Sequence, residues 1–105
     1  MAINISVAKD FSVTPGARQK TDGLFSGEEF RENILEKYFA DGNIEKIVID
    51  LDGVEGYSTA FLEEAFGGLV RKFGKTAVLG RFEFISTEEP LLVSEIESYI
   101  KNADK

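Results

Sequence analysis

The chain has 105 residues, of which 43% are apolar, and a formal net charge of −7. This length suits a single domain over residues 1–105, and the apolar fraction is enough for a hydrophobic core, which excludes disorder. The sequence contains no cysteine and no histidine, which excludes disulfides, cysteine nucleophiles, histidine-containing catalytic triads and histidine-ligated zinc. The acidic balance disfavours nucleic acid and anionic membranes as partners. Because the sequence shows no signal segment and no long apolar run, we predict a cytoplasmic protein. We also expect no cofactor.

The amino-terminal quarter of the chain predicts two strands and a turn. Apolar and polar residues alternate over 3–7, which is the pattern of a strand with one buried face. Residues 11–13 predict a second short strand that ends at the Pro15-Gly16 turn. The polar stretch 17–25 predicts either a hairpin arm or an ordered loop.

Two segments carry the spacing of a capping box, in which a serine hydroxyl accepts the backbone N–H three residues further on. The first, over 26–29, predicts a helix that begins at Gly27 and ends at 41–43, where the residues tolerate a left-handed backbone. The second, over 86–89, predicts a final helix whose apolar stripe runs over 92–100.

The stretch 44–73 predicts the central unit of the fold, which is a strand, a tight loop and a helix. The apolar run 47–51 suits a strand covered on both faces in a parallel or mixed sheet, and Asp52-Gly53 ends it. The helix begins around 57–59, beyond the carboxyl end of the buried strand. Open α/β sheets usually place their sites there.

The segments after this helix complete an α/β pattern. Residues 76–79 predict a short strand, and 81–85 predict either another strand or the continuation of one strand that bends at Gly80. The predicted order is β-β-α-β-α-β-(β)-α, with helices packed on the sheet.

Asp50 and Asp52 suggest an enzyme as one alternative. The segment 49–54 resembles the first motif of haloacid-dehalogenase-like phosphohydrolases, in which two aspartates at a strand end act around Mg²⁺. That chemistry also needs a lysine and further acidic ligands on later strands, and no later strand ends in an aspartate pair. The other interpretation is structural: Asp50 ends the strand, and Asp52-Gly53 forms a turn.

Ser58 and Thr59 are the second set of possible site residues. Either hydroxyl could simply cap the helix by accepting a free backbone N–H. The same helix start attracts anions, so it could bind a small anion or nucleotide or carry a phosphate. Glu63 and Glu64 follow in the first two turns and would repel an added phosphate.

Two further features of this helix need an explanation. Gly67 and Gly68 lie in its middle, where each costs about 1 kcal/mol relative to alanine. They predict either close approach of the helix to the sheet or another helix, or a glycine-rich interface for a partner. Tyr57 and Phe61 either belong to the core or form an exposed apolar patch at the helix start.

Five segments of the chain carry a family resemblance: the loop 51–54, the helix start 57–62, and the segments 15–18, 26–31 and 61–67. Together they resemble a STAS domain (sulphate transporter and anti-sigma factor antagonist). The bacterial STAS-like family of unassigned function is the most similar. The resemblance implies a mixed sheet with helices packed on it and a non-enzymatic, regulatory role. It implies docking onto a partner protein, typically a kinase with the histidine-kinase ATPase fold, under the control of serine phosphorylation.

In anti-sigma factor antagonists, the phosphorylated residue is the second serine of an Asp-Ser-Ser-Gly motif at this helix start. Alignment on Val54 and Leu62 places Ala60 at the acceptor position, and Ala60 has no hydroxyl. Phosphorylation is therefore either absent or has moved to Ser58 or Thr59.

The leading hypothesis is a protein-interaction module that docks a partner through the loop and helix start at 53–66. The predicted partner-binding residues are Gly53, Glu55, Tyr57, Ser58, Thr59, Phe61 and Glu63, and the phosphorylation candidates are Ser58 and Thr59. The alternatives are the Mg²⁺-dependent phosphohydrolase and a small-anion or nucleotide site.

Overall fold

A computed structural model of the chain describes residues 3–40 and 45–103. Strands β1 (Ile3–Ser6), β2 (Ile47–Asp50) and β3 (Phe82–Ile85) form one sheet in the order β1-β2-β3. Both strand pairs are parallel. The predicted α/β class is confirmed, and the sheet is parallel rather than mixed within the described residues.

The helices connect these strands and continue after the last one. They are α1 (Val7–Asp10), a 3₁₀ turn (Lys20–Asp22), α2 (Gly27–Phe30, then a π-helical stretch Arg31–Leu35 and Lys37–Ala40), α3 (Thr59–Leu62, then a π-helical stretch Glu63–Gly67 and Gly68–Phe73), α4 (Lys75–Val78) and α5 (Leu91–Asn102). Among the described residues, no helix is both long and apolar enough to cross a membrane.

Two predicted strands are wrong. Residues 11–13 are not a strand, because α1 follows β1 directly and the Phe11 ring turns towards Phe30, with ring centroids 5.1 Å apart. Residues 76–79 are not a strand either, because α4 occupies this segment and the Leu79 N–H donates to the carbonyl of Lys75 at 2.9 Å. Both segments are short apolar runs, whose periodicity does not distinguish a strand from a helical turn.

The first predicted helix start is confirmed. Ser26 accepts the Glu29 N–H at 3.0 Å, and α2 begins at Gly27. Its predicted end at 41–43 lies outside the described residues. The second predicted capping box is wrong, because the Ser86 hydroxyl donates to the carbonyl of Glu89 at 2.6 Å instead of accepting its N–H.

The two faces of the sheet differ in burial. One face packs against α2 and α3 through Ile5, Ile47 and Ile49, which are buried in the same core as three fully buried phenylalanines, Phe30, Phe61 and Phe66. The opposite face remains half-buried or exposed at Asn4, Ser6, Val48, Asp50, Glu83 and Ile85. The core therefore lies between the sheet and the helices of one side.

Helices α2 and α3 are in backbone contact at Gly27. A Cβ atom on Gly27 would lie 2.4 Å from the carbonyl oxygen of Phe61 and 3.2 Å from the amide nitrogen of Ala65. Real Cβ atoms do not approach backbone atoms this closely, so only glycine fits at this crossing. The crossing fixes the amino-terminal turns of α3, where the predicted site lies.

Candidate functional site

The start of α3 lies after the carboxyl end of β2, and Ser58 is its N-cap. The Ser58 hydroxyl accepts the Phe61 N–H at 3.0 Å and donates to the carbonyl of Gly16 at 2.7 Å. The predicted capping role is therefore confirmed for Ser58. Ser58 and Thr59 are both exposed residues at the surface of the protein.

The loop before α2 lies beside the start of α3 and is hydrogen-bonded to it. The Glu55 N–H donates to the carbonyl of Val13 at 2.9 Å, and the Gly16 N–H donates to the carbonyl of Phe25 at 3.0 Å. With the bond from Ser58 to Gly16, these contacts join the loop 12–25 to the segment 53–59. The stretch 17–25 was predicted as either a hairpin arm or an ordered loop, and the structure shows a hydrogen-bonded loop without a strand. Although most of this stretch is polar, the loop also exposes apolar side chains.

Three apolar residues of this loop are exposed to solvent. Leu24 is 81% exposed, Val13 45% and Phe25 37%. Phe25 also has a φ of 55°, which is rare for a residue with a side chain, and its ring packs edge-on against Phe11 at 5.7 Å. We call Val13, Leu24, Phe25, Glu55, Ser58 and Thr59 together the Ser58 surface.

The other predicted partner-binding residues have structural partners. Phe61 is fully buried, so the alternative of an exposed aromatic patch that includes Phe61 is wrong, and its side chain offers no atoms to a partner. The Tyr57 hydroxyl donates to the carbonyl of Leu51 at 2.8 Å. Burial, followed by the negative charge of Asp50, raises the pKa of the Tyr57 phenol. Tyr57 therefore supports the loop as a neutral hydrogen-bond donor.

Glu63 and Glu64 belong to a group of ion pairs between α2, α3 and the preceding loop. Glu63 lies 2.6 Å from both Arg18 and Arg71, and Glu64 lies 2.5 Å from Arg31. These carboxylates are therefore neutralised by arginines. We call this group, which also includes Glu36 and Lys72, the ion-pair layer.

Gly67 and Gly68 make room for the ion-pair layer. A Cβ on Gly68 would lie 2.3 Å from Nη1 of Arg31, and a Cβ on Gly67 would lie 2.5 Å from Oε2 of Glu63. The predicted close approach is thus made by charged side chains rather than by a backbone. Burial opposes the charge of Arg31, but hydrogen bonds to Glu64 and Glu36 outweigh it and raise the pKa of Arg31.

Asp50 and Asp52 both stabilise loops. Asp50 accepts the Asp52 N–H at 3.0 Å. Asp52 accepts the Glu88 N–H at 3.0 Å and the Thr87 hydroxyl at 2.5 Å, and these bonds hold the pKa of Asp52 below its ordinary range. The Gly53 N–H in turn donates to the carboxylate of Glu88 at 2.9 Å. Within residues 3–40 and 45–103, no group of three or more acidic side chains is arranged to hold a metal ion.

The chain matches a known protein family. A family model described as a STAS-like domain of unknown function matches residues 26–92. The chain belongs to this STAS-like family. The match covers α2, β2, α3, α4 and β3, and it includes the capped start of α3. No curated protein and no solved structure matches the chain.

The apolar part of the Ser58 surface in this STAS-like domain was not predicted from the sequence. Leu24 and Phe25 directly precede the Ser26 cap, and Phe25 and Phe30 occupy the two positions of a hydrophobic staple. Phe25 and Phe30 both contact the Phe11 ring. The apolar pair Leu24-Phe25 directly before the capping box was therefore the sequence signal that could have indicated the apolar part of the Ser58 surface.

Proposed function

We propose that this STAS-like domain is a non-enzymatic interaction module that docks a regulatory partner protein through the Ser58 surface. The observation that carries the proposal is the exposure of Leu24 and Phe25 on a loop that is hydrogen-bonded to the capped start of α3. Exposed apolar residues with a polar rim are typical of protein-binding surfaces. Glu55, Ser58 and Thr59 supply that rim.

The resemblance to anti-sigma factor antagonists supports a partner with the histidine-kinase ATPase fold. Such a partner would act on a hydroxyl at the helix start. Ser58 and Thr59 are the exposed residues with a hydroxyl there, since Ala60 has none. We therefore assign the phosphorylation to Ser58 or Thr59.

Phosphorylation at the two positions would have different consequences. A phosphate on Ser58 would remove the hydroxyl proton that Ser58 donates to Gly16, so the loop 12–25 would lose a bond to α3. Thr59 is the first residue of α3, where the helix dipole stabilises an added negative charge. Modification of Ser58 would thus reorganise the Ser58 surface, whereas modification of Thr59 would add charge beside it.

The docking part is tested by affinity capture from the native host with Leu24→Glu as bait. Leu91→Glu is the matched control, because Leu91 is 82% exposed and lies outside the Ser58 surface. We expect the wild type and Leu91→Glu to retain the same partner and Leu24→Glu to lose it. Equal retention by all three would place docking elsewhere.

The phosphorylation part is tested with the captured partner and ATP. We expect mass spectrometry to find one added phosphate in the peptide that contains Ser58 and Thr59, and to find none in the Ser58→Ala/Thr59→Ala double variant. A partner that binds but leaves the wild-type peptide unmodified would contradict the switch and leave the docking proposal standing.

The non-enzymatic part has its own assay. An aryl phosphate with Mg²⁺ should not be turned over above background. Turnover that disappears in Asp50→Ala would contradict the proposal and favour the phosphohydrolase alternative. A thermal-shift screen of small anions and nucleotides tests the remaining alternative, since a ligand at 100 times its Kd stabilises by about 2.7 kcal/mol.

A further inference from the structure

The two outer edges of the sheet differ in what occupies their outward-facing backbone groups. At the edge of β1, the Ser6 N–H donates to the carboxylate of Asp10 at 2.7 Å, and α1 begins directly afterwards. This carboxylate occupies a backbone donor that another strand would need. Charged groups that cover an edge in this way prevent strand addition.

The outer edge of β3, by contrast, is not paired with a further strand within the described residues. The carbonyls of Arg81 and Ile85 accept N–H groups of β2 and of the residue after it, Ile47 and Leu51, at 2.8 Å. Successive residues of a strand direct their backbone groups to opposite sides. Phe82 and Phe84 therefore direct their N–H and C=O groups away from β2, where the described residues contain no further strand.

A groove lies along this edge between α4, β3 and α5. Its volume is about 250 Å³, with apolar walls from Val78, Phe82, Phe84 and Ile100 and a charged rim of Glu97 and Lys101. Leu79, which also lines it, is 47% exposed. We call this cavity the β3 groove. It offers apolar surface directly beside the outward-facing backbone groups of Phe82 and Phe84, which pair with no strand of the described residues.

We propose that an extended segment of a partner protein, with alternating apolar and basic side chains, adds to the outer edge of β3 as a fourth strand. An extended segment can hydrogen-bond to the backbone groups that point outward at every second residue of an edge strand. Pockets beside the edge then select the side chains of that segment. Alternate side chains of the added strand would enter the β3 groove. Those between them would lie on the open face of the sheet, beside Glu83.

Charge identifies the occupant as a basic partner rather than a second copy of this chain. Antiparallel pairing of two β3 strands that joins Phe82 of each copy to Phe84 of the other would place Glu83 directly opposite Glu83 of the second copy. Like charges opposite each other destabilise strand pairs, and each copy carries a net charge of −7. A lysine or arginine opposite Glu83 would instead form a favourable pair.

The inference goes beyond the proposed function, because the β3 groove and the Ser58 surface share no residue. The probe is a library of seven-residue peptides that alternate valine, leucine or phenylalanine with lysine, titrated into the isotope-labelled chain. We expect the best peptide to shift the amide signals of Phe82 and Phe84 and to slow their hydrogen exchange. A library without any member that does so would overturn the proposal.

Two controls separate strand addition from general attraction of cations. Methylation of the peptide nitrogens that face β3 removes two hydrogen bonds and should weaken binding about tenfold. Glu83→Lys should weaken binding of the lysine peptide, whereas Glu55→Lys, with the same change in charge on the Ser58 surface, should not. Equal effects of the two substitutions, or equal binding of the methylated peptide, would contradict strand addition.

The same spectra test the second copy as occupant. If the Phe82 and Phe84 amides become protected with rising protein concentration and no peptide, the edge pairs with itself and the proposed basic partner is wrong.

Discussion

Helices α2 and α3 approach each other at two glycines in two different ways. At Gly27 the backbones meet directly, since a Cβ there would lie 2.4 Å from the carbonyl oxygen of Phe61. At Gly68 the guanidinium of Arg31 fills the space that a Cβ would take and bonds to Glu64. One contact is made by backbone atoms, which cannot move independently, and the other is built from charged side chains that can adjust. A glycine in a helix can therefore make room for either a neighbouring backbone or an ion pair.

The largest effect should come from the rigid contact. Gly27→Ala places a methyl group against backbone atoms that cannot move independently, so we expect a loss of about 3 kcal/mol in the free energy of unfolding. Urea unfolding measures it. Gly56→Ala is the matched control, because a Cβ there meets nothing within 4 Å. Equal stability of the two variants would show that the helices separate more easily than the structure implies.

Removal of the charge at the second contact should have the next largest effect. Arg31→Met leaves the carboxylates of Glu64 and Glu36 without their shared partner, and the Arg31 side chain is only 12% exposed. We expect a loss of about 2 kcal/mol, below the value for a fully buried pair. Arg71→Met, at a more exposed position of the ion-pair layer, should cost less than half as much. The reverse order in urea unfolding would contradict the assigned roles.

Gly68→Ala should have a smaller effect whose sign depends on Arg31. In the wild type, the new methyl group displaces the guanidinium, so we expect a net loss of about 1 kcal/mol. With Arg31→Met in place, the helix preference of alanine over glycine should remain and stabilise by about 1 kcal/mol. A double-mutant cycle by urea unfolding measures this coupling. The same sign in both backgrounds would mean that Gly68 does not accommodate Arg31.

The smallest predicted effect is the pH dependence of Glu63. A hydrogen bond from Arg71, opposed by burial and supported by Arg18, holds the pKa of the Glu63 carboxyl below its ordinary range. A pKa that is lower in the folded state adds stability above the unfolded-state pKa, and this stability is lost as the pH falls through the folded-state value.

Glu63→Gln should therefore cost about 0.5 kcal/mol at pH 7, in the range of an exposed pair. The difference from the wild type should shrink between about pH 5 and pH 3. The cost of Gly27→Ala should not change over the same interval. Thermal unfolding across this range would contradict the assignment if the Glu63→Gln difference stayed constant.

The sequence predicted the elements that local patterns determine. The apolar run at β2, the Ser26 cap of α2 and the start of α3 around Ser58 were all placed correctly. Each depends on hydrophobic periodicity or on a cap within a few residues. The segments 11–13 and 76–79 were assigned wrongly because tertiary contacts, such as those of the Phe11 ring, decide the structure of short apolar runs.

The candidate site was predictable only in part, for the same reason. Ser58 was found because a cap is a local feature. The contact between Arg31 and Glu64 joins positions 33 residues apart and forms only when α2 packs on α3. The exposure of Leu24 likewise depends on the path of its loop across the start of α3. This path cannot be predicted from the spacing of residues in the sequence.

The turn after β2 and the segment before α5 form a reciprocal latch. Asp52 receives the backbone N–H of Glu88, and the carboxylate of Glu88 receives the backbone N–H of Gly53. Any outward movement of Gly53 must break this latch or carry Glu88 with it. The segment that leads from β2 to Ser58 is therefore tied by two hydrogen bonds to the residues that precede α5.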